Sequence, residues 1–279
     1  MPERETNLPS LGLVGGEGGL PVLMARQARS SGWRIVAFAL GEIGSLAELA
    51  HRVVPCRLGE VGAIFTVLAQ EEIRHVVLAG RVRKEALFHG GIPLDGSARA
   101  LVERSRDWTD DGLLQTATEA LAAMGIELLD QRRFLGPFLA PAGLVAGPAP
   151  GARVEADIAC GILVARDVAR HGIGQTVVVR AGTVVAVEAL EGTDETIRRG
   201  LALAGPGAVV VKATRPGHDY RFDVPVVGAT TLARCAEGRA AAVALEAGRV
   251  ALLDREAIET AAAEAGISVV GIDGDAAPR

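Results

Sequence analysis

Short apolar runs alternate with helically spaced segments through the first half of the chain, and the links between them leave room only for a layered α/β fold. Leu11–Gly15 is an apolar run ending in glycines, and Leu20–Ser30 places Leu20, Leu23, Met24 and Ala28 on one helical side. Arg34–Leu40 reads as a second strand, Leu58–Gln70 as a helix and His75–Ala79 as a strand. Asp110–Met124 reads as an amphipathic helix and Ile126–Leu129 as a short strand. Strands separated by helices predict a parallel sheet covered on its faces.

The stretch Gly136–Arg153 changes character, with Pro137, Pro141, Pro148 and Pro150 among glycines and alanines. Proline at that density sustains neither a helix nor a central strand, so the chain is expected to divide into domains 1–140 and 141–279. The second half reads as helix Ala156–His171, strands Thr176–Arg180 and Thr183–Ala189 joined at Ala181-Gly182, helix Thr193–Leu203 and strand Ala208–Val211. Tyr220–Val226 reads as extended, since Val224 precedes Pro225. Ala241–Glu246 and Arg249–Leu253 read as a second hairpin around Ala247-Gly248, followed by helix Arg255–Ala265 and strand Ser268–Ile272. Hairpins mixed with helices predict a mixed sheet here, so the fold class is α/β: a Rossmann-like parallel domain followed by a mixed-sheet α/β domain.

Composition removes several function classes. The formal charge is −5 with no basic block, so nucleic-acid phosphates find no electropositive stripe. Cys56, Cys160 and Cys235 are far apart, and the five histidines lack paired metal spacing, which argues against a disulfide scaffold and a thiolate zinc site. No apolar stretch approaches the roughly 20 residues that span a bilayer. The polar, acidic N-terminus is neither a signal nor a transit peptide, so a cytoplasmic location is expected, with peripheral membrane contact still open.

The link Gly15-Gly16-Glu17-Gly18-Gly19-Leu20-Pro21 joins the first strand to the first helix. Glycines allow close backbone approach, and the unpaired N–H groups of a helix N-terminus favour a phosphate. The same link also suits a tight turn without a ligand, and it is neither a clean G-x-G-x-x-G nor a P-loop. Glu42 stands where a ribose-binding acid follows the second strand of a dinucleotide fold, which keeps an NAD(P)-dependent oxidoreductase in view.

The second half carries the carboxylates. From Asp219 the sequence alternates, with Asp219, Arg221 and Asp223 on one expected face and Tyr220, Phe222 and Val224 on the other. Two carboxylates flanking a guanidinium suit diphosphate hydrolysis, which needs a carboxylate to hold a cation or take a proton from water; they also suit a solvated face with a local salt bridge. Lys212 and Arg215 lie just upstream and can neutralise developing phosphate charge. Glu188 ends the apolar run Val184-Val185-Ala186-Val187, where an ionised acid is costly unless paired. Thr193 or Asp194 reads as the N-cap of the next helix, and Glu246-Ala247-Gly248-Arg249 as a turn with a flanking charge pair. Arg81 and Arg83 follow the strand His75–Ala79 at the edge where α/β folds bind ligands.

Taken together these segments resemble the LpxI-type UDP-2,3-diacylglucosamine diphosphatases. The resemblance rests on Gly16-Glu17-Gly18-Gly19-Leu20-Pro21, Leu78-Ala79-Gly80-Arg81-Val82, Gly172-Ile173-Gly174-Gln175, Ala186 to Asp194 with its Glu191-Gly192-Thr193-Asp194, Lys212 to Pro225, Glu246 to Arg249 and Asp254 to Glu256. His218 stands where the family has Gln, Gly172 replaces an acid, and Lys84-Glu85-Ala86 departs from a basic-Pro-Ser stretch. The resemblance implies hydrolysis of UDP-2,3-diacylglucosamine to lipid X and UMP in lipid A synthesis, with Mg²⁺, by a homodimer holding the lipid between its domains. Asp223 matches the family's essential aspartate, with Asp219 as its catalytic companion. Asp223, Glu188 and Asp194 are the expected metal ligands. Gly16, Gly18, Gly19, Leu20, Arg81, Glu191, Gly192, Thr193, Lys212, Arg215 and Arg221 are the expected substrate contacts. Two rivals stand beside this reading: the oxidoreductase, and a non-catalytic nucleotide-lipid binding protein.

Overall fold

A computed structural model describes residues 8–41, 45–81, 92–105 and 110–273. The chain forms two compact units. The first runs to Leu135 and also takes in Asp219–Asp223; the second comprises Gly136–His218 and resumes at Val224. The boundary expected at 140/141 assigned the whole D-x-R-x-D segment to the C-terminal domain. Its residues 219–223 instead pack with the first unit, where Phe222 lies against a core of Val36, Phe38, Leu68, Val76 and Leu128.

In the first unit β1 (Ser10–Gly15), α1 (Leu20–Ser30), β2 (Arg34–Ala39), α2 (Leu46–Leu49), β3 (Arg52–Pro55), α3 (Val61–Gln70) and β4 (His75–Ala79) are followed by α4 (Gly96–Arg104), α5 (Asp110–Ala123), β5 (Glu127–Leu128) and α6 (Arg132–Leu135). Every strand pair is parallel, in the order β3-β2-β1-β4-β5. The sheet is apolar on both faces, as a parallel sheet between helices must be: Leu11, Leu13, Ile35, Val36, Ala37 and Phe38 are all buried. Strand order reverses between β1 and β4, and outside the carboxyl ends of such a pair α/β sheets bind ligands. β3 is absent from the sequence reading because it is four residues ending in proline; at the sheet edge that proline forfeits no ladder bond.

The second unit contains β6 (Gly143–Ala146), α7 (Ala152–Arg170), β7 (Thr176–Arg180), β8 (Thr183–Val187), α8 (Thr193–Ala204), β9 (Val209–Lys212), β10 (Val226–Val227), α9 (Ala229–Glu237), β11 (Ala242–Glu246), β12 (Ala251–Leu252), α10 (Arg255–Ala265) and β13 (Ser268–Ile272). Six strands form a mixed sheet, β6-β13-β11-β9-β7-β8, in which β9, β11 and β13 are parallel and β6, β7 and β8 join by antiparallel pairing. Period-two alternation splits the valines between two cores. Val177, Val179, Val209 and Val211 meet Ile158, Ile162 and Ala165 of α7. Val178, Val210 and Val243 meet Ile197, Leu232 and Ile258 on the other face; each such aliphatic side chain contributes about 1.5–3 kcal/mol by leaving water.

The hairpin expected across 241–253 does not form. β11 is a central strand whose two edges are taken by β9 and β13, so β12 pairs with β10 instead. The extended segment expected at Tyr220–Val226 is a turn as far as Phe222, and only Val226–Val227 is strand. No described helix is long and apolar enough to cross a membrane.

Candidate active site

The β1–α1 link lies at the carboxyl edge of the first sheet, beside the end of β4. Gly16 N–H donates to Ala79 C=O at 2.8 Å, Glu17 N–H to Arg81 C=O at 2.8 Å, and Arg81 N–H to Glu17 C=O at 3.0 Å. This close approach requires glycine twice. A Cβ on Gly16 would lie 2.5 Å from the Arg81 carbonyl oxygen, and Gly80, at φ +82°, would place one 2.7 Å from that of Glu17. The Gly16 amide expected to bind phosphate is therefore spent on β4. The amides of Gly18, Gly19 and Leu20 make no hydrogen bond among the described residues, and they open α1, whose Pro21 has no N–H to lose. What remains is a three-amide cradle at a helix N-terminus. The Arg81 side chain is exposed at the same edge.

Residues 219–223 reach this edge from far along the chain. β5 is parallel to β4, so the residues after it, Leu129 to Arg132, share the carboxyl edge with the glycine link. Gln131 N–H donates to Tyr220 C=O at 3.0 Å, and the Arg132 guanidinium lies 3.8 Å from the centre of the buried Tyr220 ring. Asp219 grips Arg221 through both carboxylate oxygens, with Nη2 to Oδ2 at 2.6 Å and Nε to Oδ1 at 2.9 Å. It also accepts the Arg221 amide at 3.0 Å, while Phe222 N–H donates to Asp219 C=O at 3.2 Å. An aspartate bonding its own backbone two residues on makes a turn, which is why the alternating pattern is not a strand. Asp219 and Arg221 are thus mutually engaged. Asp223, exposed and followed by buried Val224 and Pro225, is the carboxylate that the turn holds out.

A second polar cluster sits at one edge of the second sheet. Alternation carries the face of Val178, Ala186 and Val210 on to Thr176, Glu188 and Lys212. Lys212, only 5% exposed, donates from Nζ to Thr193 Oγ1 at 2.7 Å and to Thr176 Oγ1 at 3.4 Å, with Glu188 Oε2 at 4.0 Å. Thr193 Oγ1 donates in turn to Glu188 Oε1 at 2.8 Å, and the Gln175 amide reaches Oε2 at 3.3 Å. The costly acid at the end of β8 is therefore neutralised by a lysine and a hydroxyl. Thr193 is not the cap of α8; Gly192 holds that position at φ +81°, without a side-chain bond, and Thr193 opens the helix. Asp194 is exposed in the first turn, where an acid suits the dipole. Arg215 is half-buried beyond β9.

Glu191 folds back onto its own helix, its Oε1 accepting from Arg199 Nη2 at 2.6 Å and Thr196 Oγ1 at 3.1 Å. These bonds clamp the turn that precedes α8. The Arg199 guanidinium holds the Glu191 carboxyl below the ordinary glutamate value. A depressed folded-state pKa stabilises the fold above the unfolded value of about 4.3 and loses that stabilisation as pH falls through the folded value. Glu191→Gln is therefore expected to be less stable than the parent at pH 6, by a gap that narrows at pH 3. Urea midpoints at the two pH values measure this, and an equal gap at both would refute it.

Two domain families match the chain: the LpxI N-terminal domain over residues 10–138 and the LpxI C-terminal domain over residues 141–270. The UDP-2,3-diacylglucosamine pyrophosphatase LpxI of Caulobacter vibrioides is 34% identical over 277 residues, covering 94% of this chain and 97% of that protein. The chain belongs to the LpxI family. Among solved structures, N5-carboxyaminoimidazole synthetase from Staphylococcus aureus complexed with ADP is 14% identical, covering 62% of this chain and 38% of its own with a TM-score of 0.23. N5-carboxyaminoimidazole ribonucleotide synthetase from Thermotoga maritima is 11% identical, covering 65% and 41% with a TM-score of 0.24, and scores this low carry no argument. The oxidoreductase and the non-catalytic binding protein gain no support from LpxI membership, and Glu42 and Arg83, with the departure at Lys84-Glu85-Ala86, lie outside the described residues.

LpxI membership leaves the metal to be tested on the residues themselves. Among the described residues no three His, Cys, Asp or Glu side chains gather to hold an ion; of the expected ligands, Asp223 belongs to the first unit and Glu188 and Asp194 to the second. Glu188 is already held by Lys212 and Thr193. An exposed carboxylate such as Asp223 suits Mg²⁺ in the mode where substrate phosphates supply most ligands and the protein one or two carboxylates.

Two residues of this LpxI chain went unrecognised in the sequence. Glu246, read as a turn residue, is a 1% exposed carboxylate at the end of β11. Its Oε2 accepts from the Thr214 amide and hydroxyl, both at 2.8 Å, and its Oε1 from Arg166 Nη2 at 2.9 Å, with Arg249 Nε at 3.6 Å. Gln131 carried no signal at all. An acid closing the all-buried strand Ala242–Glu246 was the available sign for the first, the sign that did single out Glu188.

Proposed function

We propose that this protein hydrolyses the diphosphate of UDP-2,3-diacylglucosamine, giving UMP and 2,3-diacylglucosamine 1-phosphate (lipid X) for lipid A synthesis. One observation carries the reading to this chain: the glycine cradle and the Asp219–Asp223 turn belong to the same unit and lie along the same carboxyl edge of its parallel sheet. Neighbouring strands are about 4.8 Å apart, so the ends of β1 and β5, with β4 between them, are separated by about 10 Å. That spacing suits a diphosphate pinned by main-chain amides beside a carboxylate.

In the proposed reaction Asp223 accepts a proton from water as the water oxygen bonds to one phosphorus. The bridging P–O bond breaks, and its electron pair leaves with the departing phosphate. The amides of Gly18, Gly19 and Leu20 stabilise the charge on the phosphoryl oxygens, with the Arg81 side chain as an added cation at that edge. In the second unit Lys212 and the amino end of α8 form a further candidate for anionic groups. Mg²⁺ belongs to the proposal in the substrate-bound mode, where it neutralises diphosphate charge, with Asp223 as its carboxylate. A homodimer in the cytoplasm, touching the inner membrane where its acylated substrate resides, completes the proposal.

Incubation of the purified protein with UDP-2,3-diacylglucosamine, in Mg²⁺ or in EDTA, tests both parts by mass spectrometry. UMP and lipid X are expected with Mg²⁺ and are lost with EDTA. Absence of both products with Mg²⁺ as well as with EDTA would refute the activity, and undiminished release in EDTA would remove Mg²⁺ alone.

A further inference from the structure

Gln131 is 2% exposed and sits three residues beyond the end of β5. Its backbone N–H bonds Tyr220 C=O at 3.0 Å, and its side-chain Nε2 donates to Arg221 C=O at 3.4 Å across 90 residues of sequence. On one side Asp130 holds Arg132 in a bidentate pair, with Nη2 to Oδ2 at 2.6 Å, which aims the guanidinium at the Tyr220 ring. Residues 130–132 therefore fasten the peptides directly before Asp223 by two hydrogen bonds and a stacked cation.

The Gln131 amide is an unfavourable residue to bury. Its Oε1 is enclosed and has no hydrogen-bond partner among the described residues. An orphaned buried acceptor costs about 1–3 kcal/mol, and methionine would occupy similar volume without that cost. What methionine cannot do is donate an N–H to the Arg221 carbonyl. Native structures carry few such orphans, and each calls for a cause.

We infer that Gln131 is a positioning residue, whose amide N–H fixes the Tyr220–Arg221 backbone and thereby the place of the Asp223 carboxylate. The inference rests on the hydrolytic reading above. Misplacement of a reacting group by about 1 Å costs on the order of 10²-fold in rate, so a partly loosened tether is expected to cost at least about tenfold.

Gln131→Met and Gln131→Glu test it; the first removes the donor with little change of volume, and the second, assayed at a pH that ionises its carboxyl, with little change of shape. In both, kcat is expected to fall about tenfold or more, with KM within about twofold of the parent, because ground-state contacts are untouched. Amide hydrogen exchange is expected to quicken in the peptide covering Asp219–Asp223 and to stay unchanged elsewhere. Gln131→Met should melt close to the parent, since loss of the orphaned oxygen offsets loss of the hydrogen bond to Arg221 C=O. Unchanged exchange at 219–223 overturns the tether whatever the activity, and unchanged kcat overturns positioning. So does a kcat loss accompanied by a falling melting temperature and exchange quickened throughout, the pattern of a merely structural role. Should Gln131→Glu not fold, Gln131→Met decides alone. Lack of turnover by the parent protein would instead sink the hydrolytic reading, and positioning with it, while exchange still reports on the tether.

Discussion

Asp223→Ala is expected to lower kcat for UDP-2,3-diacylglucosamine hydrolysis by about 10²–10⁴-fold, the usual contribution of a positioned proton acceptor, with KM within about twofold. The Asp223 side chain is exposed, and the core contacts nearby come from Tyr220, Phe222 and Val224. Asp219→Ala is the informative contrast. Asp219 binds Arg221 through both oxygens and accepts the amide that closes the turn, so its removal frees the guanidinium and loosens the backbone. That variant should lose stability as well as rate. Quantified UMP release and urea unfolding on the two proteins separate the roles. Near-normal turnover by Asp223→Ala, or a larger rate loss confined to Asp219→Ala, would reverse the assignment of the proton acceptor.

Periodic segments were legible from the sequence. Helix Arg255–Ala265 and strand Ser268–Ile272 occur with the bounds read from their patterns. Turn chemistry was legible where the backbone used it: at the β7–β8 hairpin Ala181 and Gly182 both take positive φ, at +51° and +73°. The similar pair Ala247-Gly248 misled. Only Gly248 is left-handed there, and β11 already had partners on both edges, a fact of sheet topology that no local pattern holds.

The candidate site was legible in its parts rather than in its pairings. An acid closing the apolar run before Glu188 correctly signalled a paired carboxylate. Its partner is Lys212, two strands away in the sheet. The alternation after Asp219 rightly buried Tyr220 and Val224, yet the strand it implied lost to an aspartate that bonds its own backbone. Gln131 was invisible because its role is set by residues 90 positions away.

Glu246→Ala is expected to cost about 3–5 kcal/mol of folding stability, the range for removing one partner of a buried, hydrogen-bonded ion pair. The carboxylate ties three elements together: it ends β11, accepts the amide and hydroxyl of Thr214 just past β9, and neutralises Arg166 of α7. Alanine would take this acceptor away from a buried amide, a buried hydroxyl and a mostly buried guanidinium. Glu246→Gln keeps one acceptor oxygen for Thr214 while setting an amide against Arg166, so a smaller loss of about 1–3 kcal/mol follows. Thr214→Val removes a single hydroxyl bond and should lose about 1 kcal/mol. Because these groups share one network, the double variant Glu246→Ala with Thr214→Val should lose less than the sum of the two single losses. Urea unfolding of the four variants reads the series. Losses below about 1 kcal/mol for Glu246→Ala, or strict additivity in the double variant, would mean that the carboxylate at the end of β11 is no more than a turn residue.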